Sequence, residues 1–291
     1  GYYDRSVVPT ESFDQAVRFT GSGDTDISDD MKVRGIHLRT SVATSTYYLG
    51  FNMLDPVVGG NNERARKLRR AISIAIDIEE QISIFRNGRG IAAQGPIPPG
   101  IFGYQPGCAG LNPYVYQCVQ NAPQRRALSE ARRLLAEADY PDGIDRRSGR
   151  PLLIYFDTPA TGPAEKARFD WYAKQLARLN IQLVVRATDY NRFQEKMRKG
   201  DAQLFEWGWN ADYPDPENFL FLLYGPNKKV GGEGENASNY DNPEFNRLFE
   251  KLKNLDDGPE RLHLIGQALE VARRDAPWIW GVHPRQYTLD H

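Results

Sequence analysis

The chain has 291 residues, 40% of them apolar, and 37 Lys+Arg against 38 Asp+Glu leave a net charge of −1. That is enough apolar material for one large domain or two ordinary ones, and a near-neutral chain offers no basic field to collect phosphates, so nucleic acid is not an expected partner. No run approaches the eighteen apolar residues of a membrane-spanning helix, no signal peptide or lipidation-type cysteine is legible, and the sequence from Gly1 to His291 is expected to be a piece of a longer chain.

In chain order, Ser12–Thr20 suits a short helix, Gly21–Asp30 a Gly/Ser/Asp loop and Met31–Thr40 an extended segment. Thr44–Met53 is rich in strand formers, and Pro56–Asn62 reads as a loop. Glu63–Ala75 has helical spacing through Ala65, Leu68, Ala71, Ile72 and Ala75. Asp77, with Glu80 three residues on, predicts a capping box that opens a second helix to Phe85. Gly95–Gly100, with three prolines, is stiff and irregular. Cys108 and Cys118 lie in the Gly/Pro/Asn-rich segment Pro106–Pro123. Their separation suits a disulfide closing one surface loop, which implies an oxidising compartment; two unrelated reduced thiols are the alternative. His37, His263, His283 and His291 are scattered without ligand spacing, so no metal and no cofactor is expected.

Pro123–Ala138 predicts an amphipathic helix with Leu128, Ala131, Leu134 and Leu135 on one face. A β-α-β-α-β run follows: strand Leu152–Phe156, helix Pro163–Leu179, strand Ile181–Arg186, a capped helix Asp189–Lys199 closed by Gly200, and strand Leu204–Trp209. Links this short predict an α/β fold whose strands are joined by right-handed crossovers. Beyond it, Gly225–Asn239 reads as a mobile polar surface loop, Pro243–Leu252 and Pro259–Arg274 as helices with proline in the first turn, and Trp278–Val282 as a short last strand.

The stretch Gln203–Leu220 concentrates the chemistry. Trp207 and Trp209 share one strand face by period-two alternation, and whether Trp207 lines a cleft or the core stays open. Gly208 inside the strand marks the close approach of another backbone. Pro214 and Pro216 end the ladder after Asp212, and Phe219–Tyr224 starts a short helix. Two tryptophans and two acids therefore crowd the carboxyl end of a strand, where α/β sheets bind ligands; a core strand followed by a proline turn with solvated acids is the plain alternative. Asp215 fits a helix N-cap ahead of Pro216.

Four stretches carry a resemblance. They are Tyr47-Tyr48-Leu49-Gly50-Phe51-Asn52-Met53, Lys67-Leu68-Arg69-Arg70-Ala71-Ile72-Ser73-Ile74-Ala75-Ile76-Asp77, Ala92-Ala93-Gln94-Gly95-Pro96-Ile97-Pro98-Pro99-Gly100 and Trp209-Asn210-Ala211-Asp212-Tyr213-Pro214-Asp215-Pro216. In this order and spacing the chain resembles the peptide-binding class (family 5) of extracellular solute-binding proteins that serve ABC importers. The resemblance implies an α/β, periplasmic-binding-protein-like clamshell of two lobes joined by crossing strands, of which this chain holds mainly one complete carboxyl-terminal lobe with a remnant of the other. Residues 1–50 would be the remnant and a hinge strand, 51–277 the carboxyl-terminal ligand-binding lobe, and 278–291 the returning hinge strand. Asp212 matches the acid that pairs with a peptide's α-ammonium. Gly208, Trp209 and Asn210 match the strand edge that hydrogen-bonds the peptide main chain, with Trp207 beside them. The implied ligand is a small peptide or related solute and the implied partner a membrane ABC permease. The protein would act as a monomer, periplasmic or extracellular and membrane-associated, without catalytic residues.

Two other classes fit less. Glu206, Asp212 and Asp215 beside tryptophans could form the paired carboxylates of a carbohydrate-active enzyme, but capping accounts for one acid, no second acid cluster occurs, and no Gly-x-Ser-x-Gly elbow is present. A structural interaction module is the third class. Within the binding reading, a non-peptide solute such as a sugar, metal chelate or opine-like compound remains open, and Asp212 favours peptides or other cationic amines.

Overall fold

A computed structural model describes residues 5–9, 12–19, 25–232 and 234–291. The amino end is built of short pieces: β1 (Arg5–Val7), α1 (Phe13–Ala16), β2 (Val17–Phe19), β3 (Thr25–Ile27), α2 (Asp29–Val33) and β4 (His37–Val42). The helix expected over Ser12–Thr20 stops at Ala16 because the chain turns into β2, which pairs antiparallel with β3. The extended segment expected from Met31 starts only at His37, since the Ser28 side chain accepts the Met31 N–H and nucleates α2. Thr20 and residues 21–24 of the expected loop lie outside the described residues.

Next come β5 (Ser45–Phe51), α3 (Glu63–Ala75), α4 (Ile78–Arg86) and β6 (Gly90–Ala92). Asn62 caps α3 by accepting the Ala65 N–H at 2.9 Å, and Leu68, Ala71, Ile72 and Ala75 form its buried stripe. Arg69, within one of the stretches that carry the resemblance, is fully buried and donates to the carbonyls of Val58, Gly60, Asp275 and Ala276, so its role is to join distant segments. Asp77 accepts the Glu80 N–H at 2.9 Å as expected. The Glu80 carboxylate, however, accepts from Trp171 Nε1 at 3.0 Å and Gln175 Nε2 at 2.7 Å, tying α4 to a later helix.

Cys108, in a turn of 3-10 helix, is bonded to Cys118 with Cα atoms 5.6 Å apart. Cys118 belongs to a hairpin of β7 (Tyr116–Val119) and β8 (Ala122–Arg125). Its turn residues Gln120 and Asn121 both take positive φ, as a tight two-residue hairpin requires. The helix expected from Pro123 therefore begins later, as α5 (Leu128–Glu137), because residues 122–125 are held in the hairpin.

The alternating run follows as β9 (Leu153–Thr158), α6 (Pro163–Ala177), β10 (Gln182–Ala187), α7 (Tyr190–Lys199) and β11 (Leu204–Asn210). Asp189 accepts the Arg192 N–H at 3.1 Å to start α7, and Gly200 ends it at φ 74°. Then come α8 (Glu217–Leu220), the irregular turn α9 (Lys229–Gly232), α10 (Pro243–Leu252), α11 (Pro259–Asp275) and β12 (Trp278–Asp290).

Among the described residues eight strands form one sheet along the path β1-β12-β5-β11-β9-β10, with β4 and β6 also on β12, while β2-β3 and β7-β8 are separate pairs. β9, β10 and β11 are mutually parallel where they pair, and β5 lies antiparallel to both β11 and β12. Successive residues face opposite layers: Leu49 and Leu204 pack with Leu68, Leu135 and Leu176, whereas Tyr48 and Phe205 pack with Phe219, Phe245 and Ile265.

Two expectations are corrected here. The last strand is thirteen residues long, because after a register shift between Trp280 and Val282 it leaves β5 and takes β6, β4 and β1 as partners. Within the polar segment Gly225–Asn239, residues Asn236–Asn239 are packed inside rather than held on the surface. Asn236 is fully buried and donates to the carbonyls of Tyr224 and Tyr240, Asn239 donates to Asn52 Oδ1 at 3.2 Å, and Ser238 Oγ accepts from Trp278 Nε1 at 3.3 Å. Polar residues are stable inside when each finds a partner.

Candidate functional site

The described residues form an open cleft of about 1160 Å³. Its walls are β5, α4 from Ile78 to Arg86, the first three turns of α6, the start of α7, the second half of β11, Lys229 with Glu235, and the middle of β12. β11 explains its position. That strand pairs with β5 along its whole length, but with β9 only through Leu204 and Phe205, because β9 ends at Thr158 and the chain turns away into α6. From Glu206 to Asn210 the side that faced β9 has no strand partner among the described residues.

Trp207, Gly208 and Trp209 all line the cleft. The half-buried Trp207 stacks on Phe193, with centroids 5.5 Å apart, and the Lys229 ammonium stands 5.2 Å over its ring. Trp207 thus lines the cleft while packing against the core. The close approach expected at Gly208 is made by a side chain rather than a backbone: a Cβ there would lie 2.4 Å from the Tyr47 ring. Asn210 is exposed and its Oδ1 accepts from Ser45 Oγ at 2.8 Å. Asp212 is exposed just beyond the strand, and it does not line the concavity formed by this chain.

A residue missed by sequence reasoning positions both ends of this motif. Asn218 is buried, and its Oδ1 accepts from Trp209 Nε1 at 3.1 Å and from the Asp212 N–H at 2.9 Å. Only its place six residues after Asp212 could have signalled it. Asp215 accepts the Glu217 N–H at 2.8 Å, which fits the expected cap. It also forms a two-point pair with the nearly buried Arg261 at 2.7 and 2.9 Å. Burial pushes the Asp215 carboxyl up, but the Arg261 and Glu217 hydrogen bonds outweigh it and hold the carboxyl below its ordinary value. Glu206 accepts from Thr158 Oγ1 and from Arg168 at 2.6 and 3.2 Å. Two of the three acids weighed as catalytic are therefore engaged by separate arginines.

Charge on the cleft wall is mixed: Arg86, Arg89, Arg168, Arg285 and Lys229 face it with Glu165, Glu206 and Glu235. Lys229 pairs with Glu235 at 3.3 Å, and Arg168 with both Glu165 and Glu206. Among the described residues no group of three His, Cys, Asp or Glu could hold a metal ion. Cys108 and Cys118 lie outside the cleft lining.

Comparison with known proteins places this geometry. The sequence profile of bacterial extracellular solute-binding proteins, family 5 Middle, matches residues 11–231. Heme-binding protein A of Haemophilus influenzae is 28% identical over 218 residues, covering 75% of this chain and 36% of that protein. The dipeptide-binding protein of Escherichia coli is 26% identical over 264 residues, 89% of this chain and 44% of that one. Among solved structures, the periplasmic binding protein DppA from Helicobacter pylori in complex with peptide STSA superposes with a TM-score of 0.69 at 24% identity, covering 89% of this chain and 45% of that chain. The oligopeptide-binding protein AppA from Bacillus subtilis, in complex with a nonapeptide, gives 0.71 at 18% identity, covering 99% and 51%. The fold is thus the α/β fold of these binding proteins, and the chain spans less than half the length of the curated relatives named here.

Proposed function

This chain belongs to the bacterial extracellular solute-binding proteins of family 5, and from that premise we propose that it supplies one wall of a cleft that captures a short peptide for a membrane ABC permease. The observation that carries the reading is the unpaired side of β11 from Glu206 to Asn210, opening into the cleft with Asp212 at its end. An extended peptide adds to such an edge through main-chain hydrogen bonds, which are blind to its sequence. Trp207 and Trp209 flank it, and Asp212 pairs with the α-ammonium and sets the register. Residues 1–50 are a remnant of the other lobe with its hinge strand and 278–291 the returning hinge strand, around a lobe of residues 51–277, in a monomeric protein of the periplasm or the extracellular membrane surface.

The test is calorimetry on the full-length protein with an equimolar tripeptide pool. Closure of a second lobe would bury the ammonium–carboxylate pair, so Asp212→Asn is expected to cost about 3–5 kcal/mol, at least a hundredfold in affinity. Acetylation of the peptide amino termini should cost as much. Tight binding indifferent to both changes would place the anchor elsewhere. Turnover of a peptide or glycoside that is lost in Asp212→Asn would restore the enzyme reading.

A further inference from the structure

His283 lies on β12 between the residues that pair with β5, up to Val282, and those that pair with β4, from Arg285 on. Its imidazole is enclosed there. Nδ1 donates to the Ser45 carbonyl at 3.1 Å, and Nε2 has no hydrogen-bond partner among the described residues. A proton on Nε2 would put a charge and a further donor where nothing receives them, and burial penalises the charged form. The surrounding groups do not offset that penalty. Tyr104 meets the ring edge-on with centroids 6.4 Å apart, Ile91 is the register partner on β6, and Ser45 on β5 is uncharged. Arg285, two residues on along β12, and Arg89, just before β6, are both cations. No acid stands within ion-pair distance of the ring among the described residues.

Ser45 also holds the end of the open edge. Its Oγ donates to Asn210 Oδ1 at 2.8 Å, the two residues are register partners on β5 and β11, and the preceding Thr44 carbonyl accepts the Ala211 N–H at 2.9 Å. Asp212 follows directly. Val282 and Pro284, on either side of His283, line the cleft. One hydrogen bond therefore separates the buried imidazole from the residue that carries the Asn210 end of β11.

We infer that His283 is a positioning residue that makes ligand capture depend on pH: its uncharged ring holds Ser45, and through Ser45 the Asn210–Asp212 end of the β11 edge, whereas a proton on the ring parts β12 from Ser45 and loosens that end. Ligand and proton then compete for one arrangement, and the coupling is reciprocal: the peptide expels a proton and acid weakens the peptide. Burial sets the sign, because it holds the ring's pKa down to about 4 in the packed arrangement against 6.5 for an exposed ring. Affinity is constant above pH 6.5 and falls as pH drops from there towards 4. The inference rests on the peptide reading above, and its test separates the two.

The full-length protein, freed of bound solute, is titrated by calorimetry with an equimolar pool of tripeptides without ionisable side chains. The titrations are run at pH 7.5 and pH 5, in two buffers of different ionisation enthalpy; ordinary carboxylates stay ionised at both values. Wild type is expected to bind about three- to thirtyfold more weakly at pH 5, thirtyfold corresponding to the full shift from 6.5 to about 4, and to release protons on binding there. His283→Gln, whatever its affinity at pH 7.5, should lose both the pH dependence and the proton release. Ser45→Ala keeps the carbonyl that His283 meets but removes the hydroxyl bond to Asn210. It should keep part of the pH dependence, and it carries the comparison if His283→Gln does not fold by near-ultraviolet circular dichroism. Equal affinity of wild type at the two pH values, or equal weakening in wild type and the variants, overturns the His283 assignment and leaves the peptide reading standing. Absence of binding by wild type at pH 7.5 overturns the peptide reading and this inference with it.

Discussion

His283 shows how a single buried side chain couples this fold to pH. It is almost wholly enclosed where β12 leaves β5, and its Nδ1 donates to the Ser45 carbonyl at 3.1 Å, while Nε2 has no hydrogen-bond partner among the described residues. Burial holds its pKa down to about 4 from 6.5, against the weaker pull of the Ser45 hydrogen bond. Between these values the unfolded chain binds a proton that the folded chain refuses, so stability falls as pH drops through that window and is fully restored above pH 6.5. This group alone should remove about 2 kcal/mol between pH 7.5 and pH 5. Urea denaturation at the two pH values checks it, and His283→Gln should flatten the difference. Neither this burial nor the double role of Asn218 was legible in the sequence, where His283 was one of four scattered histidines. Asp215 was half legible: the cap follows from the local Asp-Pro-Glu pattern, but its partner Arg261 lies 46 residues away.

At the scale of elements, helix ends and strand cores were the readable parts. Asp77, Asp189 and Gly200 act where their local chemistry predicts, since caps are made with backbone groups two to four residues away. The Cys108–Cys118 bridge was also readable, and it ties a 3-10 turn to β7, the first strand of a hairpin. A bridge between residues ten apart should stabilise by about 3 kcal/mol through restriction of the unfolded chain. Thiol titration of the unfolded, unreduced protein should find no free thiol, and reduction should lower the urea midpoint accordingly. Two free thiols in material made under oxidising conditions would count against export. Gly281 was not readable. A Cβ there would sit 2.3 Å from the Tyr47 carbonyl oxygen, so the register shift of β12 depends on a contact with a strand more than two hundred residues earlier.

For the whole molecule, the open cleft has a consequence for binding strength. In the 291-residue chain alone Asp212 is exposed, and an exposed ion pair contributes only about 0–1 kcal/mol. Strand addition on one wall does not offset the ordering of a flexible peptide. The isolated chain is therefore expected to fold yet bind peptides weakly, with Asp212→Asn having little effect there and a large one in the full-length protein. Calorimetry of both forms with the same tripeptide pool checks this, and tight binding by the isolated chain would refute it.

The residues alone carried the local grammar: the alternation of strand and helix from Leu152 to Trp209, the caps, the cysteine pair, and a Trp- and Asp-bearing strand end matched to a family of binding proteins. These depend on side chains and backbone groups that are near neighbours along the chain, or on a pattern repeated within a few turns. It took the packed molecule to decide which side of β11 stays unpaired and that Asn236–Asn239 are packed inside. Each of these is set by a partner that arrives, or fails to arrive, from a distant part of the chain. A sequence shows that a buried amide, a strand edge or a guanidinium needs a partner; the packing of the sheet determines which one it meets.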